Sequence, residues 1–259
     1  MTGSARPLWE RVYNGVRNAI DQGTYRPGDR IPSEPELQET YGVSRTTVRA
    51  ALTRLVQEGL ITEGVGKAGR QVREWKPLYW NLHRFERGTR LDDPSTQLDE
   101  WKADMIEQGV KDPRLQISVR IVPAPAWVAN YLQINPGDMV LCRRRIRLAD
   151  EVPVAIADTW VREEIGRKEV DGTAPLLAEH DIVLNNGIFH ALGYVQHRLD
   201  DRISVRMPTP EEADLLDLPV GSPVGQVDRV GLLEDGQPIR LISTVFPGHR
   251  LLLRYELEV

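Results

Sequence analysis

The feature that most restricts this chain is a pair of short helices with almost nothing between them. Ser33 and Glu36 stand at capping-box spacing, where a serine oxygen accepts an amide proton and the glutamate reaches back. Pro35 is tolerated in that first turn, whose amides have no intrahelical partner. The helix must stop near Gly42, because Ser44 already stands as the cap of the next one. That next helix runs to Gly59 and carries Val48, Ala51, Leu52, Leu55 and Val56 at i, i+3, i+4, i+7 and i+8, one apolar stripe. Before the pair, Leu8, Val12, Val16, Ala19 and Ile20 recur at helical spacing after Pro7, which suits a first helical position. Gly23 offers a left-handed stop, and Pro27-Gly28-Asp29 is a turn signal.

The polar face of the third helix shows Arg45, Thr46 and Arg49 near its start, with Thr47 beside them. A short helix, a turn of about three residues and a helix presenting small polar and arginine side chains is a helix-turn-helix. Such a helix end enters the DNA major groove, where arginine reads guanine O6 and N7 and threonine bonds phosphate or touches a thymine methyl. For an isolated arginine pair, a solvated helix face would be the plain explanation. The following residues change the balance. Leu60–Glu63, then Gly64-Val65-Gly66-Lys67-Ala68-Gly69, then Arg70–Arg73 read as a hairpin with a glycine-rich cationic tip. Glycines let backbone approach a phosphate ridge, and Lys67 or Arg70 would neutralise charge there. A nucleotide phosphate loop is excluded by spacing, since no Gly-x4-Gly-Lys-Ser/Thr pattern occurs.

Charge agrees with this division. The 259 residues carry a net charge of −5, yet residues 1–90 hold 15 Lys+Arg against 10 Asp+Glu, which leaves the remainder at −10. A basic head on an acidic body is expected where only the head meets a polyanion. The length, well above the ~150 residues of one typical domain, favours two units.

Pro27-Gly28-Asp29-Arg30-Ile31-Pro32-Ser33-Glu34, then Tyr41 to Arg49, then Leu52 and Glu58-Gly59-Leu60-Ile61, resemble the winged helix of the GntR family. The resemblance covers residues 8–73. It implies a dimeric transcription regulator whose second-helix start, recognition helix and wing tip contact operator DNA. By position it assigns Ser33, Ser44, Arg45, Thr46, Thr47, Arg49, Gly66, Lys67 and Arg70 to DNA, with Arg45, Thr47 and Arg49 foremost. Two departures stand out: Pro35 occupies the place of a DNA-touching arginine, and the wing segment from Lys67 to Val72 replaces a shorter Gly-Lys-Gly-Thr-Phe-Val pattern.

Residues 75–100 keep no period and read as a linker, in which Trp75 and Trp80 suit packing between units better than base stacking. A helix is expected from Trp101 to Gly109. Beyond it the chain repeats itself. Pro136–Val140 aligns with Val220–Val224 at an offset of 84, Trp127–Leu132 with Glu211–Leu216, and Arg145–Leu148 with Arg229–Leu232. Pro153-Val154-Ala155 then matches Pro238-Ile239-Arg240 at an offset of 85, one residue having been inserted at the turn. Each copy reads helix, turn, strand, hairpin turn, strand, with Val140–Leu148 and Val154–Val161 alternating like half-buried strands and Asp235-Gly236 as a hairpin signal. Two such units predict one antiparallel sheet with pseudo-twofold symmetry, an α+β domain.

Glu107-Gln108-Gly109, the segment around 136–138, Arg143–Leu148, Pro153-Val154, Met207–Ala213 and Leu232–Val259 resemble the UTRA domain of HutC-type GntR regulators. The expected architecture is therefore a winged helix-turn-helix over residues 1–74, the linker, and over 101–259 an α+β UTRA domain. The resemblance implies a fold related to chorismate lyase, dimerisation surfaces, and a pocket for a small metabolite such as an acid or a sugar phosphate. It marks Arg145 and Arg147, which alternate onto one strand face and could clamp a carboxylate or phosphate. A solvated face competes with that assignment. Asn185 to His190 resemble the family's glycine-containing turn leading into a helix, where free amides bind anions, which marks Asn186, Gly187 and His190, although a simple cap accounts for them equally. Ala157 and Arg240 stand where relatives carry Glu, so the expected pocket is cationic and Arg240 joins the candidates.

Enzyme chemistry finds little support. His83, His180, His190, His197 and His249 show no zinc spacing, and no Gly-x-Ser-x-Gly elbow exists. No cofactor or metal is expected. One cysteine, Cys142, forms no internal disulfide, and no apolar run reaches the ~18 residues of a membrane span, so a cytoplasmic, membrane-free protein is expected. A DNA-binding protein with a non-sensing body, and less so a lyase-like enzyme, are the alternatives to a ligand-responsive repressor.

Overall fold

The computed structural model describes residues 7–62, 64, 69–73, 77–82, 100–184, 187–218 and 221–256. It divides into two compact units, one built on Met1–Lys76 and the other on Pro77–Leu218 and Pro223–Val259.

In the first unit, helix α1 spans Leu8–Asp21, α2 Glu34–Tyr41 and α3 Arg45–Gln57. Pro7 is the N-cap of α1 rather than its first helical residue, with φ −53° and ψ 138°. Gly42 closes α2 in the left-handed conformation at φ 63°, which leaves three residues, Gly42 to Ser44, as the joint to α3. The whole expected stripe of α3 is buried, and Val48, Leu52, Leu55 and Val56 of it pack with Val16, Ile31, Leu37, Ile61 and Val72 into one core. Gly15 makes room inside α1 for the Tyr41 ring: a Cβ there would sit 2.0 Å from its hydroxyl, so a larger residue would force that side chain to move. Three short segments complete the unit. Ile61 bridges Val72, Arg30 bridges Gln71, and the Ile31 amide donates to the Arg70 carbonyl at 3.0 Å. These bonds hold the base of the wing against the turn before α2. The tip residues Gly66 and Lys67 lie outside the described residues.

The second unit is built on a six-stranded antiparallel sheet, in the order β2-β3-β4-β7-β6-β5. Its strands are β2 (Pro113–Pro123), β3 (Met139–Ala149), β4 (Val152–Arg162), β5 (Arg198–Arg206), β6 (Val224–Leu232) and β7 (Pro238–Pro247). Helix α5 (Ala126–Leu132) leads into β3, and α8 (Pro210–Leu215) leads into β6. The duplication is therefore larger than the sequence alignment: each copy is strand, helix, strand, strand, and the two copies meet at β4 and β7. A register shift falls at Arg147/Leu148 in one copy and at Gly231/Leu232 in the other, equivalent positions in the repeat. Cys142 lies buried under α5, where burial pushes its thiol up to about 12, and it serves as a core residue.

The opposite face of the sheet carries α6 (Glu163–Gly166) and α7 (Gly187–Ala191) at one end. At the other end lie α4 (Glu100–Glu107) and a parallel pair, β1 (Leu78–Asn81) with β8 (Leu251–Arg254). Strand β1 falls inside the expected linker. Its Trp80 corrects one expectation: the ring is buried within this unit, edge-on to Phe246 at 6.1 Å. Trp75 lies outside the described residues.

Candidate nucleic-acid interface and effector face

The start of α3 is built by its cap. The Ser44 hydroxyl accepts from the Thr47 amide at 3.3 Å and lies 2.9 Å from the Thr47 hydroxyl, which ties the first turn together. Arg45, Thr46 and Arg49 are exposed, while Thr47 is half-buried. Ser33 caps α2 through Glu36, whose carboxylate accepts both the Ser33 amide and its hydroxyl at 2.7 Å.

Between these two helix starts lies a residue that no sequence argument singled out. The Glu34 carboxylate accepts the Arg45 Nε–H at 2.8 Å, the Arg49 Nε–H at 3.1 Å and an Arg70 Nη–H at 3.4 Å. Recognition helix and wing base thus share one acid, beside a groove of about 300 Å³ that Pro35 also lines. The hydrogen bond from Arg45 holds the Glu34 carboxyl below the usual carboxylate range, reinforced by Arg49 and opposed by partial burial. The partners lie 11, 15 and 36 positions away, beyond any local period, so only the folded joint brings them together.

On the second unit, register decides which arginines face each other. Along β3, Arg143, Arg145 and Arg147 alternate onto the face that holds α4, α6 and α7. Arg143 is buried and structural, donating to the carbonyls of Ala178 and His180. Arg145 pairs in register with the fully buried Ala157, donates to the Thr159 hydroxyl at 3.1 Å, and keeps a buried Nε with no acceptor among the described residues. Arg147 lies 5.8 Å from the Trp80 ring centre and 5.6 Å from that of Trp101, two cation-π contacts the sequence did not reveal. Arg240, from β7, stands over Phe189 of α7 at 5.0 Å. The contrast with Arg144 is instructive. One residue along, it faces the other side and donates to both oxygens of Asp158 at 2.8 Å.

The Gly187 amide donates to the Leu184 carbonyl at 2.9 Å, so it is already engaged, and His190 is exposed. Asn186 lies outside the described residues. Among the described residues no group of three His, Cys, Asp or Glu side chains could hold a metal ion, and no helix is long and apolar enough to cross a membrane.

Residues 8–68 match the family model of bacterial regulatory proteins, gntR family, and residues 113–251 match the UTRA domain. The chain is 28% identical over 248 residues to the mannosyl-D-glycerate transport/metabolism system repressor MngR of Escherichia coli (strain K12), covering 93% of this chain and 92% of that one. It is 23% identical over 244 residues to the HTH-type transcriptional repressor NagR of Bacillus subtilis (strain 168), covering 94% and 92%. Among solved structures it is similar in fold to a GntR-family transcriptional regulator, with TM-score 0.60 at 24% identity over 98% of both chains. PhnF from Mycobacterium smegmatis follows with TM-score 0.54 at 20% identity, covering 96% and 99%. With a helix-turn-helix that exposes two arginines and a duplicated sheet that matches the UTRA domain over most of its length, the chain belongs to the GntR family in its HutC-type architecture, and it is a DNA-binding transcription regulator with an effector-binding domain, not an enzyme.

Proposed function

We propose that the chain is a cytoplasmic repressor that binds an inverted-repeat operator as a homodimer and is released by a small anionic effector. The head over residues 1–74 contacts DNA through Ser44, Arg45, Thr46, Thr47 and Arg49, with Ser33, Arg70 and the wing tip on the backbone. One such head spans a half-site, so two heads related by a twofold axis call for a palindromic operator. The effector occupies the face of the sheet marked by Arg145, Arg147 and Arg240.

The observation that carries the effector assignment is the Arg145 Nε, buried without an acceptor among the described residues and opposite Ala157 instead of an acid. A buried cationic donor left unmatched is costly, and an incoming carboxylate or phosphate removes that cost. The name of one relative points the same way, since mannosyl-D-glycerate carries a carboxylate. Gly187 is not required by this assignment.

The test is a screen of organic acids, sugar phosphates and neutral sugars against the protein on DNA that it selects from a random pool. Acids or phosphates are expected to release the DNA and to raise the melting temperature of the free protein. A neutral sugar that binds more tightly than every acid would remove the anionic assignment. A body indifferent to the whole panel would remove effector control.

A further inference from the structure

The carboxylate of Glu34 is an odd thing to find on a surface that must approach phosphates. It is 14% exposed, whereas the arginines it holds are 64% exposed at Arg45, 56% at Arg49 and 30% at Arg70. The geometry of the bonds explains its presence. Arg45 and Arg49 both bond Glu34 through Nε, and for both side chains those are the hydrogen bonds the structure records. Fixing Nε restricts the plane of each guanidinium, and for both arginines no Nη hydrogen bond is recorded among the described residues, which leaves the forks to DNA. Guanine is read through that Nη fork, which meets O6 and N7 together.

We propose that Glu34 is a specificity-determining residue of the DNA interface, acting as a positioning group for the Nη forks of Arg45 and Arg49, with Arg70 a third cation on the same carboxylate. It works in two ways. It orders the forks before DNA arrives, which removes rotamer entropy that binding would otherwise have to overcome. It also places a negative charge amid three cations, so contact with a phosphate backbone alone is weakened. Non-specific complexes consist almost entirely of phosphate neutralisation, and they bear that repulsion in full. In the specific complex the forks are satisfied by bases while Nε stays on Glu34. Pro35 sharpens the dependence, because proline at that position supplies no side-chain donor of its own to DNA.

The experiment compares the full-length protein with Glu34→Gln on two duplexes of equal length and base composition. One is selected by the wild type from a random pool, and the other is its scrambled counterpart. Fluorescence anisotropy at several salt concentrations gives both affinities and both salt slopes. Glu34→Gln is expected to bind the scrambled duplex several-fold more tightly and the selected one no better or worse. The ratio between them then falls about tenfold or more, and the salt slope of non-specific binding steepens by about one counterion. A ratio that stays within twofold of wild type overturns the proposal, because a merely structural role would move both affinities together. Should Glu34→Gln lose its cooperative melt, Arg49→Lys replaces it: the cation is kept and the Nε and fork are removed, and the ratio must still fall. An unchanged ratio in Arg49→Lys also overturns the proposal. The inference rests on α3 being the face that meets DNA. A wild type that selects no sequence would defeat that assignment, whereas a selecting wild type with an indifferent Glu34→Gln defeats only the role of Glu34.

Discussion

The two arginine clusters of this chain are built on opposite plans. In the head, three arginines converge on one carboxylate, and the group as a whole stays open to solvent. On the sheet, Arg145 faces Ala157 and lacks an acid among the described residues, although Arg144 beside it and Arg229 on β6 each hold an aspartate by two bonds. The difference follows from what each surface must bind. A polyanion brings its own excess of charge, so a head that met it with unrestrained cations would stick to any sequence. A small effector brings one or two charges, so a site for it gains by leaving one donor, the Arg145 Nε, without an acid among the described residues until the ligand arrives.

The largest test of this contrast is on the head. Arg45→Ala and Arg49→Ala should each weaken binding to a selected operator by about 1–3 kcal/mol, as expected for lost base contacts. The loss should be concentrated on the selected sequence. Anisotropy titration at fixed salt checks it, and an affinity within error of wild type would take that arginine out of the interface.

The same plan can then be imposed on the body. Ala157→Glu places a carboxylate opposite Arg145, in the register position that an alanine now holds, and makes the sheet cluster resemble the head. It should weaken whichever acid emerges from the ligand screen by about tenfold, roughly 1.4 kcal/mol. Calorimetry on the variant decides the matter: wild-type affinity would mean that the acid sits elsewhere.

These clusters also show why only part of the molecule was legible in the sequence. The helix-turn-helix was, because Ser44, the stripe from Val48 to Val56 and Gly59 each act within one or two turns. The β3–β4 and β6–β7 hairpins were too, because alternation and turn residues are local. Glu34 escaped, since its partners are assembled by the helix joint and the wing. Strand β1 escaped as well: with four residues paired in parallel to β8, it has neither the length for a period nor a hairpin turn to announce it. β2 and β5 belong to the repeat but diverge too far for alignment. At the offset of 84 only Arg114-Leu115 and Arg198-Leu199 coincide, too short a match to announce a strand.

A third test uses acid. The folded pKa of Glu34 lies below its unfolded value near 4.3, so its contribution to stability is present above that value. It is lost as pH falls through the folded pKa. The melting temperature of wild type should therefore decline between about pH 5 and pH 3 more steeply than that of Glu34→Gln. Other carboxylates, Glu36 among them, titrate in both proteins and cancel in the difference. Parallel melting curves for the two proteins would show that the arginines place no demand on Glu34 in the free state.

The smallest effect belongs to a residue outside both clusters, which makes it the control. The β3–β4 turn is made by Asp150 and Glu151, at φ 48° and 69°, so both central residues are left-handed. Asp150 has a reason to be there, since its carboxylate accepts the amides of Lys111 and Asp112 at 2.9 Å. Glu151 has less, being 75% exposed with a surface ion pair to Arg114, and such pairs contribute about 0–1 kcal/mol. The equivalent hairpin of the second copy uses Gly236 at φ 83°. Glu151→Gly relieves a left-handed non-glycine residue at the cost of extra freedom in the unfolded chain, for a net gain below about 1 kcal/mol. That corresponds to a rise of at most about 2–4 °C in melting temperature. Operator affinity and ligand response should not move at all. If they do, the turn communicates with one of the arginine clusters, and the separation drawn between a local strain and two electrostatic designs has to be abandoned.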